Sequence, residues 1–206
     1  MTADGNDGTA GDDGRAASRT SIIAGVTYVA LLRGINVGGK HKLPMRDLKA
    51  LLEQCGCVDV RTYIQSGNVI LTSTSKDPAA LEKQITAAIS KRHGFAPRVH
   101  LLTCAELERA AAANPFPQAA ENPTSLHLFF LDPPPKNPDV ASLEALKTGT
   151  EAFVLQGRVF YLYAPEGIGR SKLAERAGRF LGVESATARN WRTVTTLIEM
   201  SKEGRS

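Results

Sequence analysis

The sequence is poor in the residues from which recognisable sites are built. Its 206 residues hold three cysteines, one tryptophan and 6% aromatics. Three cysteines make no disulfide framework: Cys55 and Cys57 flank Gly56 and Cys104 stands far off, while a metal site needs more ligands at standard spacing. The four histidines, His41, His93, His100 and His127, show no ligand spacing, and neither a nucleophile elbow nor a paired-carboxylate motif is present. The sequence therefore assigns no catalytic residue, no metal ligand and no cofactor. A charge-stabilised transfer by Lys or Arg needs no signature, so a small-molecule transferase stays as a minority reading. No apolar run is long enough to span a bilayer, and none follows a charged N-terminal region. A soluble, cytoplasmic protein without a membrane partner is the expectation.

What is present is enough for a core. Hydrophobic residues make up 42% of the chain, which suits one large or two small domains. Residues 1–26 differ, with Asp4, Asp7, Asp12, Asp13 and five glycines, and read as a disordered acidic tail. Four Asp against Arg15 and Arg19 give that tail −2, so the rest carries +6 of the total +4. A basic folded part favours anionic partners.

The stretch Thr27–Lys42, TYVALLRGINVGGKHK, organises the rest. Thr27–Leu32 is a nearly unbroken apolar run and predicts a central strand covered on both faces. It runs into Arg33, Gly34, Asn36, Gly38, Gly39, Lys40 and Lys42, where glycines free backbone N–H groups and the cations supply charge for an anion such as phosphate. Gly34, Gly39 and Lys40 fall on a P-loop frame. The frame fails because His41 stands where a Mg-binding Ser or Thr is needed, and Pro44 starts the helix about four residues too late. Leu126–Asp132 could supply a strand ending in a metal-binding Asp, but such strands are common and add little.

The remaining elements follow from periodicity and punctuation. A helix is expected from Pro44 to Cys55, then strands at Val58–Ile64 and Val69–Thr72 around a Gln65-Ser66-Gly67-Asn68 turn. Asp77-Pro78 opens a helix ending near Gly94, and Arg98–Leu102 is a strand. Thr103 and Glu106 form a capping box for a short alanine-rich helix. After a proline-bearing connection come a strand at Leu126–Leu131 and a helix from Pro138 with Val140, Leu143 and Leu146 inward. A hairpin, Ala152–Leu155 with Arg158–Tyr163, is followed by a helix capped by Ser171, a possible short strand near Val183 and a last helix. The fold class is α+β, two tandem ferredoxin-like halves of βαββαβ type with a C-terminal helix. The first half with its linker helix is residues 27–113, the connection 114–123, and the second half with the last helix 124–206.

If Thr187 caps the last helix, Arg189, Asn190 and Arg192 crowd its first turn, where cations oppose the dipole by roughly 0.3 to 1 kcal/mol each. A bound anion would reverse that penalty.

The motifs RGINVGGK, TYIQSGNVIL and ATARNWRTVTTL, in that order, resemble the bacterial domain-of-unknown-function 1697 family from about Thr27 to the last helix. The resemblance implies a duplicated α+β protein of ferredoxin-like halves and assigns no activity. Its motif residues fall here on Arg33, Gly34, Asn36, Gly38, Gly39, Ser66, Gly67, Asn68, Arg189, Asn190 and Trp191.

Together these give one composite site for a phosphorylated or other anionic ligand. Arg33, Lys40 and Lys42 supply charge, Asn36, Gln65, Ser66 and Asn68 orient, and Arg189 closes it with Asn190 and Arg192 nearby. Gly67 is read as turn chemistry and Trp191 as core. The alternative is RNA binding by the basic loops and the second-half sheet, whose Phe129, Phe130, Tyr161 and Tyr163 could stack bases, although packing against helices is the default for these rings.

Overall fold

The computed structural model describes residues 25–203. The expected tail lies outside them except for Gly25 and Val26, and Val26 already pairs with Ser73 in the first strand. The first half runs β1 (Val26–Arg33), α1 (Met45–Gln54), β2 (Val58–Tyr63), β3 (Asn68–Ser73), α2 (Pro78–His93) and β4 (Arg98–Thr103). A connecting helix α3 (Cys104–Ala112) and a 3-10 turn at Pro117–Ala120 lead into the second half. That half runs β5 (Leu126–Asp132), α4 (Val140–Leu146), β6 (Ala152–Gln156), β7 (Val159–Tyr163), α5 (Lys172–Phe180) and β8 (Ser185–Asn190), with α6 (Trp191–Glu203) closing the chain.

Each half makes a four-stranded sheet, in the orders β2-β3-β1-β4 and β6-β7-β5-β8, with antiparallel pairing throughout. The central strands are buried on both faces, and the period of two divides their side chains between separate cores. From β1, Tyr28, Ala30 and Leu32 join α1 and α2 on the outer face of the first sheet. Val29 and Leu31 turn the other way, to meet Leu126, Leu128 and Phe130 of β5 together with α3 and α6. Phe129 and Leu131 of β5 face α4 and α5 in a third core. The inner faces of the two sheets thus share one apolar layer, and this layer joins the halves.

Local chemistry sets most boundaries. Pro44 precedes α1, Asp77 accepts from Ala80 N–H at 3.1 Å, and Gly94 ends α2 at φ 75°. Thr103 and Glu106 form the expected capping box, with Glu106 Oε2 accepting from Thr103 N–H at 2.8 Å. Asp139, one residue beyond Pro138, caps α4, so Val140 becomes its first residue and faces out at 45% exposure instead of inward. The expectation for Thr187 is corrected as well. Thr187 is buried inside β8, a strand of six residues, and Asn190 caps α6 by accepting from Thr193 N–H at 2.9 Å. No helix among the described residues is long and apolar enough to cross a membrane.

Candidate functional site

The glycine-rich segment after β1 folds on itself as a small hairpin. Val37 pairs with Lys40, Lys40 N–H donates to Val37 O and Asn36 N–H to His41 O, both at 3.1 Å. Gly38 and Gly39 occupy the two turn positions at φ 59° and 73°, the pair of positive values a two-residue hairpin turn requires. These glycines therefore shape a turn, and the backbone does not form a phosphate cradle around them.

Asn36 staples the hairpin down. Its Nδ2 donates to Leu43 O at 2.9 Å and Gln65 O at 2.8 Å, while its Oδ1 accepts from Leu43 N–H at 2.8 Å. Asn68 is fully buried, and its Nδ2 donates to Ser66 Oγ at 2.9 Å and Tyr63 O at 3.2 Å. Arg189 reaches this point from the second half. Its Nε donates to Asn68 Oδ1, and its Nη2 donates to the carbonyls of Leu32 (2.8 Å), Ser66 (3.1 Å) and Gly67 (3.4 Å). Desolvation pulls the guanidinium down to about 10.

The structure gathers Asn36, Ser66, Asn68 and Arg189 around the Gln65 carbonyl and spends the polar atoms of these side chains on one another and on neighbouring backbone. Arg189 lies in a strand and not in the first turn of a helix, which removes the dipole argument for an anion there. The cluster is a clasp that ties the β2–β3 turn of the first half to β8 of the second. Asn190 is occupied as the α6 cap, and Arg192 is exposed in that helix's first turn.

The cations remain outside the clasp. Arg33, Lys40 and Lys42 are exposed. Arg33 stands directly opposite Arg98 across β1 and β4. The His41 ring stacks on Phe95 at 4.6 Å and 17°, which brings the last turn of α2, with exposed Lys91 and Arg92, beside the hairpin. None of these six Lys and Arg side chains makes an ion pair among the described residues. Sequence reading missed Arg98, Lys91 and Arg92. Strand register would have revealed Arg98, whereas the His41–Phe95 stack has no sequence signal.

The aromatic platform proposed for RNA bases is closed. Phe129, Phe130 and Tyr161 are buried, Tyr161 OH donates to Ala110 O at 2.7 Å, and Tyr163 stacks on Phe116 at 5.6 Å. Packing leaves Phe129, Phe130 and Tyr161 at most 9% exposed, too little for a platform on which a row of bases could stack.

A conserved bacterial protein, SP0830, from Streptococcus pneumoniae is similar in structure, with a TM-score of 0.65 and 25% identity over 87% of this chain and 99% of that one. A comparison with curated proteins finds no match. The family model described as "Protein of unknown function (DUF1697)" matches residues 26–161, from β1 into β7, so the hairpin, Asn36 and Asn68 fall within the match and Arg189 beyond it. On that match the chain belongs to the DUF1697 family.

Proposed function

We propose that the protein binds an extended phosphate-bearing partner, a nucleic-acid backbone, on the basic face around the β1–α1 hairpin. The Arg33–Arg98 pair carries this reading. Like charges directly opposite on adjacent strands are destabilising, and Lys40 and Lys42 on the neighbouring hairpin add to the repulsion. Lys91 and Arg92 at least complement the dipole of α2; Arg33 and Arg98 have no such role. A partner that lays phosphates across them would reverse the repulsion.

The class of anion follows from what is occupied. Arg189, Asn36 and Asn68 are bonded internally, so the hairpin offers no enclosed cradle for one phosphate. Exposed cations spread over a strand end, a hairpin and a helix end suit a row of phosphates better. Contacts to phosphates alone position a partner without reading its sequence. We also infer that each half is a ferredoxin-like unit and that the two arose by duplication, a reading supported by their matching strand orders.

Fluorescence anisotropy with a labelled DNA duplex, titrated at several salt concentrations, tests the reading. Four phosphate contacts give a slope of log K against log salt of roughly −3.6. Arg33→Glu with Arg98→Glu should weaken binding by roughly tenfold or more and flatten that slope, while Arg176→Glu on α5 should leave both unchanged. Binding that ignores the double reversal would overturn the proposal. A saturable response to a single nucleotide with little salt dependence would favour a phosphorylated metabolite instead.

A further inference from the structure

A cavity of about 280 Å³ lies between the halves, away from the clasp. Its walls come from β4 and α3 on one side and β5, β6 and β7 on the other. Two rows of side chains face each other across the shared apolar layer. In the first sheet Asn68, Leu31 and His100 stand side by side on β3, β1 and β4. In the second, Arg189, Leu128 and Tyr161 do so on β8, β5 and β7. Arg189 bonded to Asn68 pins one end of these rows, and His100 and Tyr161 line the cavity at the other. Small residues, Ala110 of α3 and Ala113 at its end, line the space, and the Tyr161 hydroxyl donates to Ala110 O on its wall.

His100 is the unusual wall residue. It is 7% exposed and lines the cavity, its imidazole makes no hydrogen bond among the described residues, and its ring nitrogens are not sealed from the open space. A ring nitrogen left open on a cavity wall can hydrogen-bond a ligand atom. Burial also holds its pKa below the ordinary histidine range, so near neutrality one ring nitrogen donates and the other accepts.

The remaining walls define what would fit. Leu102, Phe130 and the Tyr161 ring form an apolar floor, and the Phe130 ring lies 6.4 Å from that of His100 at 28°. Arg158 is neutralised by Asp132 at 2.6 Å, and Glu106 has one oxygen committed to Thr103. Arg109, exposed at the rim, is the one lining cation without an ion pair among the described residues.

We propose that this cavity is a binding site for a small aromatic monoanion, a single-ring carboxylate bearing a second polar group. Its ring lies on the Phe130 and Tyr161 floor, its polar group meets His100, and its carboxylate pairs with Arg109. The volume, just below the usual range for small-molecule sites, limits the occupant to a small ligand and admits one ring. This site stands apart from the basic face and does not depend on it.

NMR titration of the full chain, observing the His100 side chain, provides the test, with 4-hydroxybenzoate as probe and phenol and inorganic phosphate as partial probes. A saturable shift of the His100 resonances with 4-hydroxybenzoate is expected, with phosphate silent. Arg109→Gln should weaken 4-hydroxybenzoate by roughly tenfold or more and leave phenol unchanged. Ala113→Trp, at an exposed helix end, should block both ring probes without unfolding the chain. No saturable His100 shift in the wild-type protein, or binding that survives Ala113→Trp, would overturn the proposal. Arg33→Glu with Arg98→Glu should leave this titration unaltered, which separates the fate of this site from that of the basic face.

Discussion

His127 carries the clearest single-residue consequence of the fold. It sits mid-sheet on β5, its Nδ1 is buried without a hydrogen bond, and desolvation lowers its pKa to about 4. The unfolded chain binds this proton near pH 6.5, so the neutral form favours folding above that value. The contribution is lost as pH falls from about 6.5 through about 4, and amounts to roughly 2.5 kcal/mol by pH 4.5. His127→Gln should therefore lose less stability than the wild type between pH 7 and pH 4.5, as measured by urea unfolding at both. Equal losses would mean that the imidazole finds a partner or water that relieves its burial. The nearby acids do not confuse the comparison, because their own titration is common to both proteins.

At the scale of elements, the β2–β3 turn is the least forgiving. Gly67 has φ 74°, and a Cβ there would lie 2.7 Å from Leu32 Cβ and 2.8 Å from Ile35 Cδ1. Left-handed strain and overpacking add, so Gly67→Ala should destabilise by roughly 2 to 4 kcal/mol. Gly38→Ala places its Cβ in open space and meets backbone strain alone, about 1 to 2 kcal/mol. Thermal melts of the two variants decide whether contact, and not conformation alone, separates them. The same contrast explains what was legible in the sequence. Pro44, Asp77, the Thr103–Glu106 box and Ser171 announce their helices because capping is local chemistry. The strand SATARN lacks bulky β-branched residues and so gives little strand signal, and Thr187 and Asn190 are both residue types that cap helices. The motifs point to Asn36, Ser66, Asn68 and Arg189 together, and the structure bonds Asn68 to Ser66 and Arg189 and Asn36 to the adjacent Gln65 carbonyl. Whether those polar atoms faced a ligand or one another depended on register across two sheets, which no local pattern encodes. His100 has no ligand spacing in the sequence, since the residues around its cavity come from five separate elements, β4, α3, β5, β6 and β7.

For the whole molecule, the shared layer and the Arg189 clasp act on the same boundary. Val29, Leu31 and Ile70 bury against Leu126, Leu128, Phe130 and Tyr161, so separating the halves would expose apolar surface on both. A single unfolding transition with matching calorimetric and van't Hoff enthalpies is expected. Arg189→Ala removes the donor for Asn68 Oδ1 and for the Leu32, Ser66 and Gly67 carbonyls at once, and should destabilise by about 3 kcal/mol or more. Arg189→Lys restores charge but not the planar fork that serves several acceptors, so it should recover only part of the loss. Hydrogen exchange locates the effect. Amides of Ser66–Asn68 should lose protection in Arg189→Ala beyond the global change, while those of α5, on the far side of the second sheet, follow the global change alone. If both regions respond equally, Arg189 stabilises the protein without clasping the turn, and the apolar layer alone holds the halves together.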